Sequence, residues 1–373
     1  MKIAFITHGN FKKHATLKRA TGMAEPLIDA GHEVAIFMED CPDNQEKVTL
    51  ECPRAKMFWH QRQKAGWKEQ RAKQKALSQW QPDVVWICGV GLRNWVFRPT
   101  KTCIILGDHS ELYSVISTGR LRRLFYWGLE WLYSLYFDGH ICASRYLETF
   151  YAKRLKRFGK RNTVHYSPYA NNDAVIFPPK AEDNALHERF GDKKIILYMG
   201  SFMQGYGFWD MPTAFKRLAQ TRDDFVAVMI GRGAEKQAAI DWVRQEQLGS
   251  VIHIEGYIAE EDLPSYFSIA HAFLCPLRDI IQDWARCPSK LFMYLPFRRP
   301  VVTCAIGEAA ELFGESGCYY NPNDTGSLAE TLARVLDDPC QFSTPNPEDH
   351  TYTSRTKDFL QWIESCFQKK SRK

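Results

Sequence analysis

The feature that most limits how this chain can fold is an alternation, run twice, of short apolar stretches with amphipathic ones. In the first run, apolar segments at 2–7, 33–38, 83–88, 102–106 and 140–143 are separated by mixed stretches. Residues 16–30 carry Leu17, Ala20, Ala24, Leu27 and Ile28 at spacings that share one helix face, with Gly31 closing the helix. A second run begins at 195–199 and continues through 225–230, 251–255, 272–275 and 301–303. Short apolar runs between amphipathic helices are the pattern of strands covered on both faces. Each run therefore predicts a parallel sheet with helices on both sides.

Between the runs, residues 180–193 are polar and follow Pro178 and Pro179, which marks a boundary. A length of 373 residues suits two domains rather than one core. The expected division is 1–178, 179–350 and a closing segment 351–373, whose helix covers 354–368 after the Pro-rich stretch 339–347. The composition, 45% hydrophobic and 25% charged, is that of a soluble globular protein. No apolar run reaches the length of a membrane-spanning helix, and MKIAFITHGN reads as a first strand rather than a signal peptide.

The eleven cysteines are scattered, with no CxxC pair and no His at zinc spacing. Cys88, Cys103 and Cys142 lie in apolar runs and read as buried free thiols, which fits a reducing cytosol. No metal site is expected. The net charge of +6 is unevenly spread: residues 1–170 hold 27 Lys and Arg against 15 Asp and Glu, and the remainder holds 22 against 28. A basic first half predicts an anionic partner. Nucleic acid is the weaker account of that charge, because no helix-turn-helix, zinc finger or RNP-type strand is visible.

The stretch 286–311, RCPSKLFMYLPFRRPVVTCAIGEAAE, carries the densest chemistry. It reads as a loop, a helix starting at Pro288–Ser289 with Ser289 as its cap, a basic turn, a β-branched strand, and a Gly307 turn leading to Glu308 and Glu311. A helix start in a crevice is a seat for phosphate. Three further turns follow apolar strands: Gly200–Ser201, Gly231–Arg232–Gly233 and Gly256–Tyr257. A strand end with no Cβ lets a diphosphate approach the main chain, and an Arg between glycines offers a bidentate donor. Taken singly, each is also an ordinary strand-to-helix turn.

In order and spacing these segments resemble the donor half of family-4 glycosyltransferases of the GT-B fold. The match is carried by ILYMGSFMQGYGFWDMPTAF, VAVMIGRGAEKQAAI, VIHIEGYIAEEDLPSYFSIAHAFLCPL and then 286–311. It is strongest over 195–336 and weaker, though continuous, through the first half. The resemblance implies two Rossmann-like domains facing a cleft, with the last helix crossing back onto the first domain. It implies donor binding by Gly200, Ser201, Arg232, Tyr257, Ser289, Lys290 and Glu311. In the first domain LGDHSELYS is similar to the family's His-bearing turn, so His109, with Asp108 and Glu111 nearby, is the candidate for contacting the transferred sugar. Glu308 is a further candidate for the sugar hydroxyls. His8, Gly9 and Asn10 stand where such proteins line the acceptor side, and Ser144 matches a structural helix cap.

The chain departs from the family pattern in two places. The paired glutamates are replaced by Ala285 and Met293, and the donor-loop Lys by Tyr206. Lys290, Arg286 or Arg232 is expected to supply the missing cation, and Asp283 the missing carboxylate.

Two basic surfaces complete the reading. Lys12, Lys13, Lys18 and Arg19 suit a charged acceptor. In 120–137, RLRRLFYWGLEWLYSLYF, Leu121, Leu124, Leu129, Leu132 and Leu135 are read as core-facing, with Arg120, Arg122 and Arg123 beside Tyr126, Trp127, Trp131 and Tyr133. Basic residues beside interfacial aromatics suit an anionic inner leaflet. Lys153, Arg154, Lys156, Arg157, Lys160 and Arg161 extend the patch.

The expected activity is transfer of a sugar from a nucleotide-sugar, without metal or other cofactor, to a glycan or lipid-linked acceptor. The resemblance implies retention of anomeric configuration and a role in cell-surface polysaccharide or lipopolysaccharide assembly, in the cytoplasm or peripherally at the cytosolic membrane face. A non-catalytic glycan- or partner-binding member of the fold and a sugar-nucleotide epimerase remain the alternatives. A dehydrogenase is disfavoured, since HGNFKKH and not GxGxxG follows the first strand.

Overall fold

Two parallel sheets organise the computed structural model, which describes residues 1–11, 16–89, 91–159, 163–173 and 185–367. The first sheet comprises β1 (Lys2–Ile6), β2 (Glu33–Glu39), β3 (Lys56–His60), β4 (Val84–Cys88), β5 (Ile104–His109), β6 (Gly139–Cys142) and β7 (Val164–Tyr166). Its order is β3-β2-β1-β4-β5-β6-β7. The second comprises β8 (Lys194–Ser201), β9 (Phe225–Arg232), β10 (Ile252–Ile254), β11 (Ala272–Cys275), β12 (Val301–Thr303) and β13 (Cys318–Tyr319), in the order β10-β9-β8-β11-β12-β13.

All ten strands expected from the apolar runs are present. The three that were not expected, β3, β7 and β13, are edge strands. An edge strand is covered on fewer sides and needs no continuous apolar run. β3, KMFWH, accordingly has only one fully buried residue, His60.

The chain divides into two compact units. One takes Met1–Asp173, Ala285–Cys287 and His350–Lys373, and the other Ala174–Trp284 and Pro288–Asp349. Residues 285–287, expected in the second domain, thus pack with the first unit, where Ala285 joins a cluster with Leu112, Cys142, Leu147 and Tyr151. The Tyr352–Phe367 helix also packs within the first unit. Its Tyr352, Phe359, Ile363 and Phe367 share a core with Ile3, Phe5, Leu17, Met23, Leu27 and Trp86, and Phe359 lies 4.7 Å from Trp86 between ring centroids. Pro178, Pro179 and residues 180–184 of the expected linker lie outside the described residues, as do Lys12, Lys13, Lys160 and Arg161.

The Arg120–Tyr136 helix corrects one expectation. Of its five leucines only Leu129 is buried, while Leu121 is 85% and Leu124 63% exposed, and Leu132 and Leu135 are exposed as well. The helix packs inward through Leu129 and Tyr133, flanked by the partly buried Tyr126 and Tyr136, with Glu130 and Ser134 beside them. Glu130 accepts from the Ser114 backbone N–H at 3.0 Å and from its hydroxyl at 2.8 Å. Tyr133 stacks on Trp95 and Phe137. Among the described residues no helix is long and apolar enough to cross a membrane.

Candidate functional site

In the second unit the chain winds from β8 outward to β10, then restarts at β11 and winds to β13. Such a reversal leaves a crevice beyond the C-terminal ends of the two central strands. Gly200 and Ser201 close β8 at that crevice. A Cβ placed on Gly200 would lie 2.4 Å from Lys290 Nζ and 2.6 Å from the Tyr198 hydroxyl. The Lys290 ammonium therefore sits directly over the bare turn, 4.3 Å from the Tyr198 ring centroid. The Tyr198 hydroxyl donates to the Ser201 carbonyl at 3.0 Å, which ties the turn to the strand below it.

Gly231 pairs with Gly200 across β8 and β9. Its φ is 152°, and a Cβ there would meet the Gly200 carbonyl oxygen at 1.8 Å. Glycine is required for the two strand ends to close. The neighbouring Arg232 is exposed, with its guanidinium 4.9 Å from the ring centroid of the exposed Tyr257. A cation and an aromatic plane thus stand side by side at the ends of β9 and β10.

The Ser289–Tyr294 helix corrects the reading of Ser289. Pro288 is the N-cap, Ser289 is the first helical residue, and its side chain makes no capping bond. A 3-10 turn, Leu295–Phe297, extends the helix. The Gly307–Phe313 helix starts where Gly307, at φ 52°, approaches the carbonyl oxygens of Asp283 and Trp284. Glu311 is exposed, whereas Glu308 is buried in the first turn of that helix. This corrects Glu308 as a sugar contact: its carboxylate lies in the packed helix start, where the helix dipole favours it.

Asp283 does not stand in for the absent glutamates either. It is buried, and its Oδ2 accepts from the Arg278 backbone N–H at 2.8 Å. Arg278 itself was passed over in the sequence. It follows the β11 strand end, and its guanidinium donates to the Gly205 carbonyl in the loop that carries Tyr206. A cation therefore lies against the loop whose expected Lys is missing. The available signal was its place three residues beyond Cys275, the end of a central strand.

In the first unit, His8 follows β1, which is central in the sheet beside β4. Its Nδ1 lies 3.2 Å from Glu69 Oε1, and its side chain is 23% exposed. Glu69 is the hub of a buried cluster. It meets Lys73 Nζ at 2.9 Å, Arg93 at 3.1 Å and His60 Nε2 at 3.3 Å. Burial opposes the Glu69 charge, yet hydrogen bonds from His60 and His8 and the Lys73 ammonium hold its carboxyl well below the usual carboxylate range. Burial also pulls the His60 and Lys73 pKa values down. Asn10 donates to Asp43 at 2.7 Å, and the Gly9 carbonyl accepts from Asn44 at 3.1 Å, which fixes the loop after β1.

The structure places His109 and Asp108 away from any exposed surface. His109 is fully buried, its Nε2 2.9 Å from His140 Nδ1 and its ring 3.9 Å from that of Tyr151. Burial, reinforced by His140 and Arg154, lowers its pKa well below that of an ordinary imidazole. Asp108 points to the opposite face of β5 and pairs with Arg19 Nε at 2.6 Å. Burial is the largest influence and opposes the Arg19 charge, but Asp108 together with Tyr169, Tyr352 and Cys88 raises the guanidinium pKa on balance. His109 and Asp108 as direct sugar contacts, and Arg19 as part of a surface patch, are therefore corrected to core positions. The half-buried Glu111 lies beyond them. Burial raises its carboxyl pKa, against the opposing Arg286. Ser144 caps the Arg145–Lys156 helix, accepting from the Leu147 backbone N–H at 3.1 Å, and donates to the Ala285 carbonyl at 2.6 Å.

Among known proteins, the family described as Glycosyltransferase Family 4 matches residues 18–198, and that described as Glycosyl transferases group 1 matches residues 193–338. The chain is similar to alpha-D-kanosaminyltransferase of Streptomyces kanamyceticus, at 25% identity over 158 residues, 41% of this chain and 40% of that protein. It thus aligns with well under half of that relative's length. Of solved structures, Anabaena Alr3699/HepE in complex with UDP and glucose is similar with a TM-score of 0.72 and 14% identity, covering 98% of this chain and 100% of that one. The lipopolysaccharide outer core galactosyltransferase WaaB in its apo form is similar with a TM-score of 0.62 and 15% identity, covering 98% and 99%. These two likenesses concern the fold. With consecutive family matches from residue 18 to residue 338 and two parallel-sheet Rossmann-like units, the chain belongs to the family 4, group 1 glycosyltransferases of the GT-B type.

Proposed function

We propose that this protein is an enzyme that moves a sugar from a nucleotide-sugar donor to a glycan or lipid-linked acceptor. The observation that carries this reading is the Lys290 ammonium poised over the Gly200 turn, at the switch point of the second sheet. Transfer breaks the bond between the sugar's anomeric carbon and the diphosphate oxygen and joins that carbon to an acceptor hydroxyl. Negative charge gathers on the departing diphosphate. Main-chain N–H groups at Gly200 and Ser201, with Lys290, Arg232 and Arg278 as cations, offset that charge. In this reading the cations take the part a divalent ion would otherwise play, so no metal cofactor is included. Ser289, Tyr257 and Glu311 complete the donor side, and His8, Gly9 and Asn10 the acceptor side.

Retention of configuration and a role in cell-surface polysaccharide or lipopolysaccharide assembly belong to the same reading, with the protein working in the cytoplasm or peripherally at the cytosolic membrane face. Family membership supports the first. The likeness to WaaB is a lead toward the second.

The test is a donor-consumption assay across nucleotide sugars, beginning with UDP-glucose, with and without acceptor glycans. Lys290→Ala is expected to lower kcat roughly 10²–10³-fold with the fold intact. Unchanged turnover in both Lys290→Ala and Arg232→Ala would remove the donor-side assignment. One observation favours a second, non-catalytic reading: Ala285 and Met293 occupy the positions of the family's paired glutamates. Tight nucleotide-sugar binding with no consumption of any donor would select it.

A further inference from the structure

The Arg120–Tyr136 helix carries a second apolar face that looks away from the core. Leu121, Leu124, Phe125, Gly128, Leu132 and Leu135 fall on one face at helical spacing, and every one of them is exposed. Trp127, also exposed, borders that face. The opposite flank, packed on the protein, carries Leu129 and Tyr133 together with Glu130 and Ser134. A surface helix of a free-standing globular protein turns a polar face outward, whereas the outward face here is apolar. The exposed stripe continues onto Phe158, whose ring meets Trp131 at 5.9 Å, edge to face, and which is itself 41% exposed. A contiguous apolar patch of this kind marks an interaction surface.

Charge decides what covers it. Exposed cations border the patch at both ends: Arg120, Arg122 and Arg123 at the helix start, and Lys153, Lys156 and Arg157 beside Phe158. The carboxylates nearby are withdrawn from the surface. Glu130 is buried and bonded to Ser114, and Asp138 pairs with Arg98 at 2.8 Å. Apolar side chains that include Trp, Leu and Phe on one face, ringed by Arg and Lys, match a helix lying in the plane of an anionic bilayer.

We propose that the Arg120–Tyr136 helix, with Phe158, is a membrane-docking surface. It seats Leu121, Leu124, Phe125, Leu132 and Leu135 among the acyl chains, and Arg120, Arg122 and Arg123 among anionic headgroups. This surface stands whether or not the protein transfers sugar, so its test reads binding and not activity. The full chain is floated with vesicles of phosphatidylcholine alone, or of phosphatidylcholine with phosphatidylglycerol, at low and high salt. Co-flotation with the anionic vesicles, weakened by salt, is expected. The double variant Leu121→Glu/Leu124→Glu is expected to lose binding by roughly tenfold or more per side chain. Both positions are exposed, so its melting temperature should match that of the parent. Trp127→Ser serves as a second variant, with a smaller loss expected. The proposal is overturned if the parent stays with the unbound protein, or if the leucine variants float as well as it does. It is also overturned if sedimentation velocity shows a parent dimer that Leu121→Glu/Leu124→Glu converts to monomer, since a second copy would then be the occupant.

Discussion

The ends of the central strands are built in opposite ways in the two units. In the first, the loop after β1 is held by side chains: His8, His60, Lys73 and Arg93 converge on Glu69, and Arg19 locks onto Asp108. In the second, the corresponding positions are nearly bare. Gly200 and Gly231 bring two main chains together, and the cations Lys290 and Arg232 stand above or beside them. A charge network fixes geometry by mutual neutralisation, and it fails when one member is lost. A glycine turn fixes geometry by the absence of atoms, and it fails when one is added. The contrast suits an anionic donor on the bare side, where main-chain donors and cations are on offer.

The largest expected effect comes from breaking the network. Glu69→Ala strands the Lys73 ammonium, which is fully buried and otherwise bonded to the Thr7 carbonyl at 2.8 Å and Asn94 Oδ1 at 3.2 Å. Leaving a buried charge without its counter-ion costs about 3–5 kcal/mol. Urea unfolding would show the loss, and Glu69→Gln should cost less because it keeps hydrogen-bonding atoms in place. A neutral Glu69→Ala variant would mean that the cluster does not hold the first unit, and the contrast with the second would collapse.

Acid sharpens the comparison at a half-buried position. His165, in β7, stacks on Trp362 of the last helix with ring centroids 5.0 Å apart. Burial, helped by Arg19, Arg355 and Arg145, lowers its pKa from 6.5 to about 4. The unfolded chain takes up a proton near pH 6.5 and the native one only near pH 4. The contribution is therefore intact above the upper value and is lost as the pH falls through that window, by about 3 kcal/mol in full. His165→Gln removes the titration. The stability difference between parent and variant should shift by that amount between pH 7 and pH 4, and a pH-independent difference would contradict the burial of this imidazole.

What was legible in the sequence follows the same division. Strands and glycine turns obey local rules, so Gly200, Gly231 and the ten apolar runs could be read directly. The Glu69 cluster could not be read in full: Glu69 and Lys73 are four apart on one helix, but His8, His60 and Arg93 join them only after distant segments fold. His109 was misread because strand alternation decides which face a side chain takes, and it turned toward Phe137, His140 and Tyr151. Of the five leucines of 120–136 read as core-facing, four share the exposed face and only Leu129 turns inward. Helical spacing states which residues share a face but not which way that face looks, and only the packing of Glu130 and Tyr133 turned it outward.

The smallest expected change in stability is also the most selective probe of the bare side. In Gly200→Ala the new methyl would meet the tip of Lys290 at 2.4 Å and the Tyr198 hydroxyl at 2.6 Å. The far end of a lysine can swing aside, so the fold should survive at a cost of about 1 kcal/mol. The ammonium, however, is pushed off the turn, and the main chain is no longer bare where a diphosphate would approach. Donor affinity is expected to fall roughly tenfold, read as a smaller thermal upshift with nucleotide-sugar. Gly231→Ala is the control of opposite character. Its methyl meets the Gly200 carbonyl at 1.8 Å, so main chain and not a side-chain tip must yield, and stability rather than affinity should register the change. Equal loss of stability in both variants would put the two glycines in one structural role, and undiminished donor binding in Gly200→Ala would move the diphosphate away from the end of β8.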